Sequence, residues 1–189
     1  TPANLQISGI TAVQKTYDGL TAASVSTAGV VKSGLFSGDD VTISASGVFA
    51  DKNAGQGKTV TLTSNYGGAD VGNYSITGQS ATTASITPAP LRVSANDATK
   101  YVDGRAYSGG NGVSYSGLVN GEAATVLAGS LAFGGSSQGA SSEGRYAITP
   151  HGLSSNNYNI GYEDGALSIR PSLTAASVSY THLTLPTIL

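Results

Sequence analysis

The chain contains no cysteine, methionine or tryptophan, and few charged residues. Without cysteine it has no disulfide framework, no thiolate metal site and no thiol nucleophile. Charged residues make up 11%, against roughly 25% in an average domain, and a net charge of -2 gives no basic footprint for nucleic acid. No apolar run approaches the ~18 residues of a membrane span. We therefore expect neither nucleic-acid binding nor membrane insertion. The missing methionine, even at position 1, indicates an internal piece of a longer protein.

Glycine is abundant instead, with 26 residues in 189, about twice the usual ~7%. Apolar and polar residues alternate over short segments, which is the pattern of half-buried strands. The alternating apolar positions are Val41, Ile43 and Ala45; Val60 and Leu62; Tyr74 and Ile76; Leu91 and Val93; Tyr146 and Ile148; and Leu167 and Ile169. Clusters such as NAGQG and SGGNG separate them and predict turns, because glycine adopts positive φ without strain. The pattern predicts a mostly β fold of small antiparallel sheets.

The sequence repeats itself at long range. Tyr17 in KTYDG and Tyr101 in KYVDG are 84 positions apart, and the same distance separates Tyr74 in GNYSI from Tyr158 in NNYNI. The segment LFSGDDVTI is similarly answered by LVNGEAATV. A fixed spacing of this kind indicates two diverged copies of one structural unit. We predict two tandem modules, residues 5–89 and 91–171, each a small β-sandwich or β-grasp-like fold, joined at the proline-containing segment TPAP.

The repeated tyrosines have a structural interpretation. In both Tyr-Asp-Gly-like segments the aromatic ring is predicted to pack inward from a strand end, while the aspartate and glycine turn the chain. A carboxylate site that uses Asp18 or Asp103 is the alternative. Local sequence also predicts one short helix in the second module, because Asn120 can cap it and Glu122 suits its first turn.

Several motifs resemble functional sites without meeting their requirements. In GQGKT, with Gly55, Gly57 and Lys58, the residue five positions before Gly57 is Lys52, where a phosphate loop needs glycine, and a strand pattern follows instead of a helix. His151 follows a proline in a predicted turn, and no sequence pattern pairs it with a nucleophile and an acid.

Acidic pairs are the remaining site candidates. Asp39 with Asp40, and Glu163 with Asp164, lack the regular ligand spacing of a calcium loop, so only a weak surface calcium site stays open for them. Asn73 begins an Asn-Tyr-Ser tripeptide, which is a glycosylation pattern of low specificity. We predict no catalytic, cofactor-binding or metal-binding residues, and no enzyme activity.

At family level, the motifs carry a resemblance. The first copy, with ITAVQKTYDGLTAA, GADVGNYSI and ASITPAPL, resembles a YDG repeat domain. The second, with LRVSANDATKYVDG, GRYAITPHGLSSNNYNI and GALSI, resembles an MBG repeat domain, although it reads KYVDG where that family usually has K-x-Y-G. Together the two resemblances cover most of the chain.

The resemblance implies a function of the whole region. Such domains occur in tandem in large bacterial surface proteins, notably filamentous haemagglutinin-like adhesins exported by two-partner secretion. It therefore implies a stalk or spacer segment, secreted or on the outer surface, whose partners are neighbouring repeat modules. Two alternatives remain open at this stage: the modules themselves bind glycan or host protein, or they are accessory domains of a secreted enzyme.

The last residues break the pattern. Residues 172–189 lack the glycine-containing turn segments found in both copies, and SYTHLTLPTIL resembles a translated sequencing-adapter run-on. We expect this tail to be foreign to the domains; the alternative is the start of a third module.

Overall fold

The computed structural model describes residues 1–172, which form strands and turns almost throughout. The predicted non-repeat tail, residues 172–189, lies outside the described residues apart from Ser172. Within residues 1–172, no helix has the length and apolar character that a membrane span requires. The mostly β fold predicted from sequence is confirmed.

The strands fall on either side of Pro88. Before it lie β1 (Ala3–Ser8), β2 (Thr11–Ala12), β3 (Lys15–Thr16), β4 (Ala22–Ala23), β5 (Val25–Ser26), β6 (Val31–Ser33), β7 (Thr42–Phe49), β8 (Gly55–Gly67), β9 (Tyr74–Thr77) and β10 (Ala81–Thr87). After it lie β11 (Ala89–Ala95), β12 (Ala98–Tyr101), β13 (Val113–Ser116), β14 (Ala128–Gly134), β15 (Gly144–Ser154), β16 (Tyr158–Glu163) and β17 (Gly165–Arg170). Two 3-10 turns occupy Val71–Asn73 and Ala124–Val126.

Each sheet stays on its own side of Pro88. The first unit, residues 1–88, contains sheets of order β6-β1-β9, β3-β10-β8-β7-β4 and β2-β5. The second unit, residues 89–172, contains sheets of order β13-β11-β16 and β12-β17-β15-β14. A connection of one residue, Pro88, separates the end of β10 from the start of β11. Independent folding of the two units stays a prediction.

The two units share one topology. In each, the first strand lies between an antiparallel neighbour and a parallel one, as β1 does between β6 and β9 and β11 between β13 and β16. The second sheet likewise has a parallel pair at its edge, β3 with β10 and β12 with β17. The sheets are therefore mixed, whereas the turn pattern predicted antiparallel sheets. Turns reveal only sequence neighbours, and a parallel pair requires a long crossover between its strands.

The core of the first unit continues across Pro88. Leu5, Phe49, Val60 and Ile86 pack in one buried cluster that also includes residues of the second unit. Those residues are Ala89, Leu91, Val93 and Tyr158. A smaller cluster of Ala95, Ile148, Leu167 and Ile169 lies wholly within the second unit. The alternating positions predicted to face inward in β8, β11 and β17 are buried.

The helix predicted after Asn120 does not form. Asn120 has φ of 50° and Gly121 has φ of 70°, both outside the right-handed helical region. A right-handed helix therefore cannot run through these residues, and only the 3-10 turn Ala124–Val126 follows them. This left-handed turn directs Glu122 to a different role, at the contact between the units.

Candidate functional site: the junction of the two units

Four side chains meet where the first unit contacts the second. Tyr17 comes from the corner after β3, and Lys52 from the turn between β7 and β8. Glu122 lies in the loop before β14, and Tyr158 begins β16. Tyr17 and Tyr158 are 2% and 3% exposed, so both rings belong to the continuous core. We call these four residues the junction cluster.

Glu122 is the centre of the junction cluster. The Tyr17 hydroxyl donates a hydrogen bond of 2.7 Å to Oε1 of Glu122, and the Tyr158 hydroxyl donates one of 2.7 Å to Oε2. Lys52 Nζ lies 2.7 Å from Oε1 and completes an ion pair. One carboxylate of the second unit thus joins two donors from the first unit to a tyrosine of its own.

The electrostatics follow from this arrangement. The hydrogen bond from the Lys52 ammonium, with those from Tyr17 and Tyr158, lowers the pKa of Glu122 from 4.5 to about 2 although burial opposes the shift. Burial and the hydrogen bond to Glu122 raise the pKa of Tyr17. Glu122 is therefore ionised, and Tyr17 protonated, throughout the physiological range. The Glu122 side chain is only 10% exposed, so water stabilises little of its negative charge. The hydrogen-bond donors Tyr17, Tyr158 and Lys52 compensate that charge instead.

Packing reinforces the hydrogen bonds. The rings of Tyr17 and Tyr158 meet edge to face, with centroids 5.4 Å apart and planes at 80°. This is a favoured aromatic geometry, worth on the order of 1 kcal/mol beyond burial. Gly19 also abuts the second unit, since a Cβ at this position would lie 2.9 Å from Cβ of Asn120. A side chain at position 19 would therefore push the units apart.

A second set of contacts lies beside the junction cluster. The Ala54 amide donates to Oδ1 of Asn157 at 2.8 Å, and Nδ2 of Asn157 donates to Oδ1 of Asn53 at 3.0 Å. Asn157 also accepts from the Ala89 amide through its own carbonyl, at 2.9 Å. The asparagine before β16 thus connects the turn of the first unit to the start of the second.

The Tyr-Asp-Gly corner explains how Tyr17 reaches this position. Asp18 accepts hydrogen bonds from the Leu20 amide at 2.9 Å and from Lys15 at 2.7 Å, and Gly19 adopts φ of 78°. The Tyr17 amide donates to the carbonyl of Thr87 at 2.8 Å, which fixes the corner to the end of β10. The structural interpretation of this segment is confirmed, and Asp18 serves the turn.

The second corner differs from the prediction. Asp103 again pairs with a lysine three residues earlier and accepts from the Arg105 amide. Tyr101, however, is 48% exposed, and Val102 takes the inward position before the aspartate. The Val102 amide donates to the carbonyl of Arg170 at 2.9 Å, as Tyr17 does to Thr87. The prediction that Tyr101 packs inward is wrong. The two corners correspond through their shared Lys-x-x-Asp-Gly pattern, in which the residue before the aspartate faces inward, and that residue is Val102 in the second unit.

The other candidate residues lie apart from the junction cluster. Gly55, Gly57 and Lys58 lie at the start of β8, where Lys58 pairs with Asp51. His151, predicted in a turn, is an exposed residue within β15, because the strand continues through Pro150. Asn73 is exposed at the end of a 3-10 turn.

Three residues of the acidic pairs, Asp39, Asp40 and Glu163, make hydrogen bonds or an ion pair. Asp39 accepts from the Tyr74 hydroxyl at 2.6 Å, and Asp40 accepts from the Ala69 amide at 3.2 Å. Glu163 pairs with Arg92 at 2.7 Å. Among the described residues, no three His, Cys, Asp or Glu side chains are grouped so as to hold a metal ion.

Sequence reasoning missed Lys52 and Asn157 and misassigned Glu122. A signal for Glu122 existed, because LFSGDD and LVNGEA both place an acidic residue directly after glycine in corresponding loops. Lys52 is an isolated lysine in a turn, and its partner lies 70 positions away. No local pattern distinguishes it from a solvated side chain.

The comparisons with known proteins agree with the predicted order of two tandem domains. Residues 1–84 match the model of the YDG domain, and residues 91–168 match the model of the MBG domain (YGX type). No curated protein and no solved structure matches the chain.

Proposed function

The chain carries a YDG domain followed by an MBG domain, and from this we propose that it is a stalk segment of a bacterial surface adhesin. In this role the two units act as a spacer that holds a binding domain away from the cell. The observation that carries the proposal is the connection between the units, which is a single proline. A spacer transmits position only if its units do not pivot freely.

Proline suits such a connection. Its ring restricts φ to about −65°, and it also restricts the preceding residue, so Thr87 and Pro88 have few alternative conformations. The remaining freedom is rotation of one unit against the other. The junction cluster opposes that rotation, because any large turn would separate Glu122 from Tyr17 and Lys52 and leave a largely buried carboxylate without its donors.

The proposed setting is the outer surface of a bacterium or the secreted state, with export by two-partner secretion. The lack of cysteine supports this setting, because a chain without disulfides can cross an outer membrane unfolded. The partners in this role are neighbouring repeat modules. We propose no catalytic activity, since the phosphate-loop and triad patterns of the sequence are incomplete and the junction carboxylate serves a structural contact.

Direct ligand binding by these two units is the alternative function. One groove that could admit a glycan has a volume of about 540 Å³ and is lined by Gln14, Gln56, Ser85, Thr87 and Asn156 among others. Its lining contains no aromatic ring on which a sugar could stack. A second groove, of about 650 Å³, does include an aromatic residue, Tyr162, so direct binding stays the alternative and requires an experimental test.

A glycan array tests the spacer against this alternative. We expect the purified chain to show no saturable binding to array glycans or to common host matrix proteins, because the proposed spacer function requires no ligand and the 540 Å³ groove lacks a stacking platform. Saturable binding that is lost in Gln56→Ala and kept in the exposed control Ser46→Ala would contradict the spacer function and place a ligand site in the groove.

A further inference from the structure

The end of the first unit at which β1 begins repeats the second unit's half of the junction. Tyr74 starts β9 opposite Ala3 of β1, and Tyr158 starts β16 opposite Ala89 of β11, in the same parallel pairing. The two tyrosines therefore occupy the same place in their units. The segment Thr1–Ala3 also has the same three residues as Thr87–Ala89, which joins the units.

The hydrogen bonds around the two tyrosines correspond as well. The Tyr74 hydroxyl donates to Oδ2 of Asp39 at 2.6 Å and accepts from the Phe36 amide at 3.0 Å. The Tyr158 hydroxyl donates to Oε2 of Glu122 at 2.7 Å and accepts from the Val119 amide at 3.1 Å. Asp39 and Phe36 thus correspond to Glu122 and Val119, in loops that the sequence already aligned.

The two tyrosine sites differ in the contacts of the second carboxylate oxygen. At Glu122, in the second unit, this oxygen accepts from Tyr17 and Lys52 of the first unit. Among the described residues, none donates a hydrogen bond to the other oxygen of Asp39, Oδ1. Val119 is half-buried against the continuous core, whereas its counterpart Phe36 is 64% exposed, the largest value among the exposed large apolar residues of the described chain.

We propose that Phe36, Asp39 and Tyr74 form a docking surface for a further YDG-type unit, which presents the end that carries Tyr17 and Lys52 in this chain. The incoming tyrosine hydroxyl and lysine ammonium bind Asp39, and the incoming apolar surface covers Phe36. This proposal deepens the proposed spacer function and rests on it. It assigns the interface between successive units in a longer array.

Charge complementarity supports this occupant. The carboxylates of Asp39, Asp40 and Asp70 lie close together here, since Asp70 accepts from the Asp40 amide at 2.8 Å. One ammonium, that of Lys32, donates to the carbonyl of Val41 beside them, so negative charge remains in excess. A lysine in the Lys52 position faces this charge, as Lys52 faces Glu122. A second copy docked by the end of its second unit would not fit, because Val102 stands there in the place of Tyr17 and has no hydroxyl.

An extended chain tests the proposal. Residues 1–88 are placed before the full chain so that their Pro88 is followed directly by Ala3, which reproduces the one-residue connection. Lys52→Ala in the added copy and Asp39→Ala in the original first unit are combined in a double-mutant cycle, read from urea unfolding of the extended chain. We expect the two substitutions to interact, with a coupling of at least about fivefold in the unfolding equilibrium constant.

Phe36→Ala provides an independent readout of the same contact. In the original chain this substitution should change the unfolding constant less than threefold. In the extended chain, the same substitution in the original first unit should change it at least tenfold, because the added unit covers that ring. Additivity of Lys52→Ala and Asp39→Ala within twofold, together with an equal Phe36→Ala effect in both chains, would overturn the docking surface. That outcome leaves the contact between the two existing units unaffected, so it is distinguishable from failure of the spacer function.

Discussion

Replacing Tyr17 with alanine is expected to lower the free energy of unfolding by about 3–4 kcal/mol, the largest effect of any single substitution in this account. The ring is 2% exposed and packs edge to face on Tyr158, so its loss leaves a cavity in the core that connects the units. The hydroxyl is also lost as a donor to Glu122. The measurement is a urea titration followed by circular dichroism.

Tyr101→Ala is the matched control for this change. Tyr101 has the same residue type and lies in the corresponding corner of the second unit, but it is 48% exposed. Its replacement should cost less than about 0.5 kcal/mol, as expected for a surface position. Equal losses for the two tyrosines would show that burial at the junction does not distinguish them.

Replacing Glu122 with alanine is expected to cost about 2–4 kcal/mol at pH 7. The substitution leaves two buried hydroxyls without an acceptor and Lys52 without its ion pair. We expect no larger loss, because Lys52 is about half exposed and water partly screens the charge that loses its partner. Glu163→Ala, which breaks a pair with Arg92 in which both side chains are about half exposed or more, is the control and should cost less than about 1 kcal/mol.

Acid titration identifies the charge of Glu122 as the cause. Its pKa falls from 4.5 to about 2 on folding, so its contribution is fully present above pH 4.5 and is lost as the pH falls toward 2. Glu122→Gln keeps the side-chain shape and removes this titration. The stability gap between the native chain and Glu122→Gln should therefore shrink from pH 7 to pH 2.5, and a constant gap would exclude an electrostatic role.

The sequence predicted much of the fold because the repeat carries structural information. Their 84-residue spacing and the similar segments GNYSI and NNYNI match Tyr74 to Tyr158, and the structure places both at the start of a strand that pairs in parallel with the first strand of its unit. Tyr17 in its Asp-Gly corner was also interpreted correctly. These features depend on local turn chemistry and on the periodicity of apolar residues.

The predictions failed where the relevant partner is far away in sequence. Tyr101 was aligned with Tyr17 by residue identity, but the corner depends on Lys100 and Asp103, and these align with Lys15 and Asp18 one position later. The sequence analysis also missed the parallel strand pairs, whose strands are far apart in sequence. It missed the contacts of Glu122 for the same reason, since Tyr17 and Glu122 are 105 positions apart. An acidic residue after an Asn-Gly pair resembles a helix start until its distant donors are known.

The most direct test of the central claim measures whether the two units are held in one arrangement. The chain has no cysteine, so Ser46→Cys in β7 and Arg145→Cys in β15, both exposed strand positions, can carry the only two spin labels. Double electron–electron resonance then reports the distribution of distances between the units. The account predicts a single narrow distribution that broadens when Tyr17→Ala is added. A broad distribution in the chain with an intact junction cluster would contradict it.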